Sequence, residues 1–191
     1  MAFIEIVAES DADGELAELY RRYGNPDGTV DNVLKVHSLN PESLAAHCAL
    51  YVQSMHRPSP LSRAEREMAG VAVSRQNGCV YCREHHAAGL HRLLPPERGH
   101  VADELKRGET GSLTDRERAI VAFAESLTLD PASMSAAHCE TLRSAGLADR
   151  EILDLCQAAA YFAYANRIVL GLGARLGEGE GSTGEVPAES R

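Results

Sequence analysis

The sequence has no tryptophan and only 3 phenylalanines among 191 residues. A β-sandwich or barrel fills its core with aromatic and β-branched strand residues, so this shortage argues against an all-β fold. Alanine is abundant instead, which suits helices packed closely through small side chains. No apolar stretch reaches the roughly 20 residues that a membrane-spanning helix needs. No basic run occurs, and the net charge of -9 with a pI of about 5.4 repels phosphate backbones. Nucleic acid is therefore not an expected partner. The opening residues, Met1-Ala-Phe-Ile-Glu-Ile-Val, hold no basic group and place Glu5 inside their apolar part. They do not read as a signal peptide, and a cytoplasmic location is expected, where structural disulfides are rare.

What remains is the balance of an ordinary folded domain, 44% hydrophobic and 25% charged. The chain is long enough for one proper core. The expectation is an all-α multi-helix bundle forming a single domain over residues 1–177. The tail, 178–191, is Gly, Glu and Ser with little to bury and is expected to be disordered. Punctuation predicts helices over 14–23, 41–55, 62–76, 79–94, 97–106, 114–127, 131–145 and 149–176. Pro41, Asn77-Gly78, Pro95-Pro96 and Gly146 set several of these limits. Three starts resemble one another: Leu61-Ser-Arg-Ala-Glu65, Leu113-Thr-Asp-Arg-Glu117 and Leu147-Ala-Asp-Arg-Glu151. Shared capping chemistry explains them more simply than duplication. The alternation at residues 3–7 is the longest strand-like pattern.

Five cysteines in such a chain need another account than structural disulfides. Cys48, Cys139 and Cys156 stand singly on apolar helical faces and read as small buried hydrophobes. Cys79 and Cys82 form a Cys-x-x-Cys. On a helix beginning near Cys79, residues three and four apart share a face, so Cys79, Cys82 and His86 form one stripe. Cys82 falls in the first turn, where free backbone N–H groups and the helix dipole favour a thiolate. His86, one turn on, is placed to take its proton. This geometry makes Cys82 the attacking thiolate and Cys79 its resolving partner. If helices 62–76 and 79–94 fold back as a hairpin, Glu67 returns nearer His86 than Cys79 and can orient its ring. Glu65 is better used by its capping box, and Glu84 points off the stripe. Zinc binding by Cys79, Cys82, His85 and His86 is a rival, but no second pair completes a standard ligand set, so no metal and no cofactor is expected. Arg83 after Cys82 excludes a c-type haem site. Tyr81 reads as a packing residue. His37, His47, His56, His91, His100 and His138 read as surface or satisfied polar groups.

Glu67, eleven intervening residues, Cys79-x-x-Cys82, three residues and His86 together resemble the signature of the alkyl hydroperoxidase D-like proteins, in the carboxymuconolactone decarboxylase superfamily. The segment from Leu61 through His86 is similar to the peroxidase-related branch. So are Asp31-Asn-Val-Leu-Lys-Val-His37 and Tyr161-Phe-Ala-Tyr-Ala-Asn166-Arg167. The resemblance implies a helical homo-oligomer that reduces hydroperoxides through thiols. It gives Cys82 the sulfenic acid, has Cys79 supply a proton and close the disulfide, and makes Glu67 and His86 the proton relay. An external dithiol reductant would reset the pair. Well-studied members carry His immediately before the second cysteine, where this chain has Tyr81. The superfamily's lactone decarboxylases generally lack the Cys-x-x-Cys, which turns the expectation away from decarboxylation. The alternatives are a dithiol oxidoreductase or redox sensor without peroxide turnover, and a zinc-stabilised module.

Apolar residues of the last predicted helix cover more than one stripe, as a central core helix or a subunit-buried helix would. The resemblance favours assembly as a dimer, trimer or hexamer. Light scattering coupled to size exclusion at micromolar concentration should give a multiple of the 20.6 kDa chain mass. A single-chain mass that does not change on concentration would contradict this.

Overall fold

The computed structural model describes residues 2–177. The expected tail, 178–191, lies outside the described residues. Among the described residues there are nine α-helices and no strand. They are α1 (Gly14–Tyr23), α2 (Asn32–Lys35), α3 (Pro41–Tyr51), α4 (Arg63–Gln76), α5 (Val80–Leu93), α6 (His100–Arg107), α7 (Asp115–Leu129), α8 (Ala136–Ser144) and α9 (Asp149–Leu172). Helix α4 is the axis. Its residues 66–74 are all buried, which requires neighbours on every side. These are α5, α6, α7 and α9. Helix α9 flanks this axis and leaves Leu153, Tyr164 and Leu170 exposed, so the central position belongs to α4. A second apolar cluster joins α1 to α3 through Leu16, Leu19, Tyr20, Leu44 and Cys48.

The three similar starts meet in space. Ser62 Oγ accepts the Glu65 N–H, and Glu65 Oε2 accepts the Ser62 N–H at 2.8 Å. Thr114 and Glu117 make the same reciprocal pair. Ala148 has no side-chain acceptor, so only the returning bond exists there, from Ala148 N–H to Glu151 Oε2 at 2.7 Å. Leu61, Leu113 and Leu147 precede each cap and are buried. Arg116 then ties the group together. Its Nε donates to Glu65 Oε1 and its Nη2 to Glu151 Oε1, both at 2.6 Å, and its Nη1 donates to Gly146 O.

Several limits differ from those expected. Helix α3 ends at Tyr51 and passes into a wider π turn, Val52–His56, in place of a straight run to 55. The segment 97–106 is a 3-10 turn, Pro96–Arg98, followed by α6. The segment 131–145 is divided in the same way, between Pro131–Ser133 and α8, whose start is capped at Ser135. Helix α9 stops at Leu172 because Gly173 takes the left-handed conformation, φ +70°. Residues 3–7 do not pair as a strand. The Phe3 N–H donates to Leu172 O at 2.8 Å, and the Val7 N–H to Ser38 Oγ.

Helices α4 and α9 approach closely at Gly70. A Cβ there would stand 2.4 Å from the Phe162 ring, and both residues are buried. Gly70→Ala should therefore destabilise the fold by about 1–3 kcal/mol through overpacking, against a helix-propensity gain of only about 1 kcal/mol. Urea denaturation checks this. An unchanged midpoint would show that Phe162 can yield.

Candidate active site

Asn77 and Gly78 reverse the chain between α4 and α5, with Gly78 at φ +68°. Helix α5 begins at Val80, so Cys79 immediately precedes it and Cys82 is its third residue. Cys82 therefore sits in the first turn, as expected. Both thiols are free and buried, at 1% and 3% exposure. They face different spaces. Cys82 lines an inner cavity of about 60 Å³, whereas Cys79 lines an apolar outer groove with Phe3, Val80, Leu170 and Leu176. Tyr81 lines both.

The hairpin brings Glu67 to His86. Glu67 Oε2 lies 2.7 Å from His86 Nδ1, and both residues are buried. Burial alone would push the Glu67 carboxyl up, but the His86 ring and Arg63, at 3.8 Å, overcome it and hold the carboxyl below its ordinary 4.5. The His86 ring is fixed on its other side by Phe162, edge to face with centroids 4.5 Å apart. No hydrogen bond joins His86 to either cysteine among the described residues, so the expected direct transfer from Cys82 is not set up here. Glu65 is occupied by Ser62 and Arg116. Glu84 is held by Arg83 and Lys106.

The thiols do not divide their charge as first-turn geometry alone suggests. The Cys82 thiol and backbone N–H lower the Cys79 thiol against its burial. The same thiol contact, burial and the neighbouring Cys79 charge raise Cys82 well above 9.0. The contact between the two thiols thus favours charge on Cys79 and disfavours it on Cys82. Contact with Cys79 and then burial oppose a thiolate at Cys82 despite its first-turn position. One group opposes the rise at Cys82, the side-chain amide of Asn166. Asn166 is fully buried on α9. Its Nδ2 donates to Ser74 Oγ at 3.1 Å, and its Oδ1 accepts from Asn77 Nδ2 at 2.9 Å. It pins the turn before Cys79 to α9. The available signal was a lone amide, followed by Arg167, within the mostly apolar run from Tyr161 to Leu172.

Of the histidines read as surface or satisfied polar groups, His37, His47 and His56 each keep one buried ring nitrogen without a partner among the described residues. His37 and His47 are buried, with ring centroids 4.6 Å apart. His47 lines the inner cavity, 3.4 Å from Tyr161 Oη, and burial drives its pKa down to about 3. His85 also lines the cavity, and burial lowers its pKa to about 4. Tyr81 is buried and stacks on His85, and its Oη accepts the Val33 N–H at 3.3 Å. Cys48 is buried, with its thiol raised to about 12. Cys139 and Cys156 are only partly buried against the core. No group of three or more His, Cys, Asp or Glu residues placed to hold a metal occurs among the described residues. No helix there is long and apolar enough to cross a membrane.

The carboxymuconolactone decarboxylase family model matches residues 41–93, which include Glu67, Cys79, Cys82 and His86. No curated protein matches the sequence. An uncharacterized peroxidase-related protein from Silicibacter sp. TM1040 is 29% identical at TM-score 0.81, over 97% of this chain and 100% of that one. An alkylhydroperoxidase AhpD core protein from Ralstonia eutropha JMP134, also peroxidase-related, is 25% identical at TM-score 0.86, over 97% of each chain. The debrominase Bmp8 shares the fold at 18% identity and TM-score 0.72, over 92% of each chain. Fold and site together define an AhpD-like helical protein. The carboxymuconolactone decarboxylase match thus covers the part of the chain that carries the site, and the whole fold is similar to that of AhpD-like, peroxidase-related proteins.

The Glu67–His86 contact has a signed consequence. A carboxyl held below its unfolded 4.5 stabilises the fold fully above that value. The stabilisation fades as pH falls through the lower folded value. In His86→Ala, burial remains and the main partner is gone. The Glu67 carboxyl carbon, followed by NMR, should then titrate above 4.5. An unmoved titration would mean that Arg63 alone holds it.

Proposed function

We propose that the protein is a thiol-dependent peroxidase that reduces hydroperoxides at Cys82. The observation that carries this reading is the division of the pair: Cys82 lines the inner cavity, and Cys79 does not. A proton passed from Cys82 to Cys79 along their thiol contact puts the charge on the sulfur in the cavity, beside the Asn166 amide. The Cys82 thiolate attacks the terminal oxygen of R–O–O–H, and the O–O bond breaks. Cys82 becomes the sulfenic acid, and the leaving alkoxide takes a proton to give the alcohol. His86, which lines the cavity and is held by Glu67, is placed to relay that proton. Cys79 sulfur then attacks Cys82 sulfur, water leaves, and a disulfide forms. An external dithiol reduces it by thiol–disulfide exchange. The family-model match over residues 41–93 and the likeness to peroxidase-related proteins support this reading.

Cys79→Ser removes the resolving thiol and should let the sulfenic acid accumulate. With one equivalent of an organic hydroperoxide, a sulfenic-acid probe should label Cys82 and no other cysteine. The unaltered protein should consume hydroperoxide in steady state with a dithiol. Glu67→Gln should slow that turnover by about 10²-fold or more. Labelling elsewhere sinks the assignment of Cys82. Disulfide formation without peroxide turnover would favour a dithiol oxidoreductase or sensor, and stoichiometric zinc in fresh protein a structural module.

A further inference from the structure

Among the described residues, no lysine or arginine lines the cavity that holds Cys82. Resting on the reading of Cys82 as the peroxide-reducing thiol, we propose that this site takes neutral organic hydroperoxides and discriminates against hydroperoxides that carry a carboxylate. The wall is made of aromatic rings and imidazoles, Tyr51, Tyr81, Tyr161, His47, His85 and His86. Burial keeps His47 and His85 neutral at physiological pH, with pKa values of about 3 and 4. Neither supplies a positive charge.

Charges of both signs act there. Asp31 lines the cavity beside Asn25, whose Nδ2 donates to Asp31 Oδ1 at 3.1 Å. Both are only partly buried and stand at its mouth. The buried Glu67 carboxylate lies directly behind His86. His86 lines the space and acts on His85 with the sign of a cation, but it is already bonded to Glu67; Arg63, 3.8 Å from Glu67 Oε1, and Arg92, which acts through space on Tyr51 and His85, do not line it. Asp31 and Glu67 act on the same Tyr51 and His85 with the opposite sign. A carboxylate entering here would lose water without gaining an unpaired counter-charge, since His86 is already held by Glu67, and that exchange is unfavourable.

Size places the rest of the substrate. A cavity of roughly 150 Å³ holds benzene, so about 60 Å³ takes the O–O–H head and a few carbon atoms. A larger body extends to the mouth, where it meets Asp31. The polar end also fits a hydroperoxide. His47 Nδ1 and His85 Nδ1 are buried without a hydrogen-bond partner. A hydroperoxide both donates and accepts, so it satisfies a neutral imidazole in either tautomer, whereas a carboxylate only accepts.

The test is a matched series near pH 7: cumene hydroperoxide, its 4-carboxylate, and the methyl ester of that acid as the size control. The second-order rate of thiol loss is measured in single turnovers of the reduced protein. The ester should stay close to the parent, and the carboxylate should be slower by about tenfold or more. Asp31→Asn should narrow the gap chiefly by speeding the carboxylate. Equal rates for carboxylate and ester overturn the inference and leave the peroxidase reading standing. No thiol loss with any of the three overturns the peroxidase reading. Selectivity is then read from NMR shifts at His47 and His85 on adding cumyl alcohol or its 4-carboxylate. Preference for the neutral alcohol upholds the inference, and equal binding overturns it.

Discussion

The pairing of a buried carboxylate with a buried imidazole, Glu67 with His86, is the constraint around which the hairpin is arranged. An ionised carboxylate away from water needs a partner, or it shifts its pKa and takes up a proton. His86 supplies that partner from the facing helix. The contact fixes how α4 lies along α5, and so where the cysteine turn falls. Phe162 seals the His86 ring from the α9 side, and it can do so because Gly70 leaves room for its ring. One polar contact and one missing Cβ thus align the three helices that carry the site.

The cysteine pair is governed by a different balance. A helix start attracts negative charge, while burial repels it. Here the two cysteines are adjacent enough to share a proton, so one sulfur can be charged while its neighbour donates. The Asn166 amide is the fixed dipole that favours charge on the inner sulfur. The chemistry at this turn depends on a residue almost ninety positions away, and therefore on the docking of α9. The same fold in the debrominase Bmp8 is a reminder that the scaffold does not choose the reaction; the side chains of the cavity do.

Much of this was legible in the sequence where local chemistry dominates. The helical class, the capping boxes at Ser62 and Thr114, the reversal at Asn77-Gly78 and the first-turn position of Cys82 all follow from spacing alone. Glu67 meeting His86 needed only a hairpin with a short turn. What escaped was set by tertiary placement. His47 has no local partner in sequence and gains its environment from His37 and Tyr161, on other parts of the chain. The opposite shifts of the two thiols escaped because neither their mutual contact nor their burial is written in a Cys-x-x-Cys. Pro96 and Pro131 open short 3-10 turns before α6 and α8, and a periodic pattern alone merges turn and helix.

The recurring Leu-x-x-x-Glu at three helix starts reflects a shared address. Glu65 and Glu151, from two of the starts, converge on the guanidinium of Arg116 in the third, while Glu117 beside it is held by Arg98. Each start presents a buried leucine and an acid that accepts the cap residue's N–H, and Ser62 and Thr114 add a side-chain cap that Ala148 lacks. Fraying of a single helix end is normally an independent event of low cost. Here the first turns of α4 and α9 are each fastened to the first turn of α7, so none of the three can open without loosening another. The ends that usually open first thus become one cooperative unit, and amide exchange there is governed by the assembly of all three.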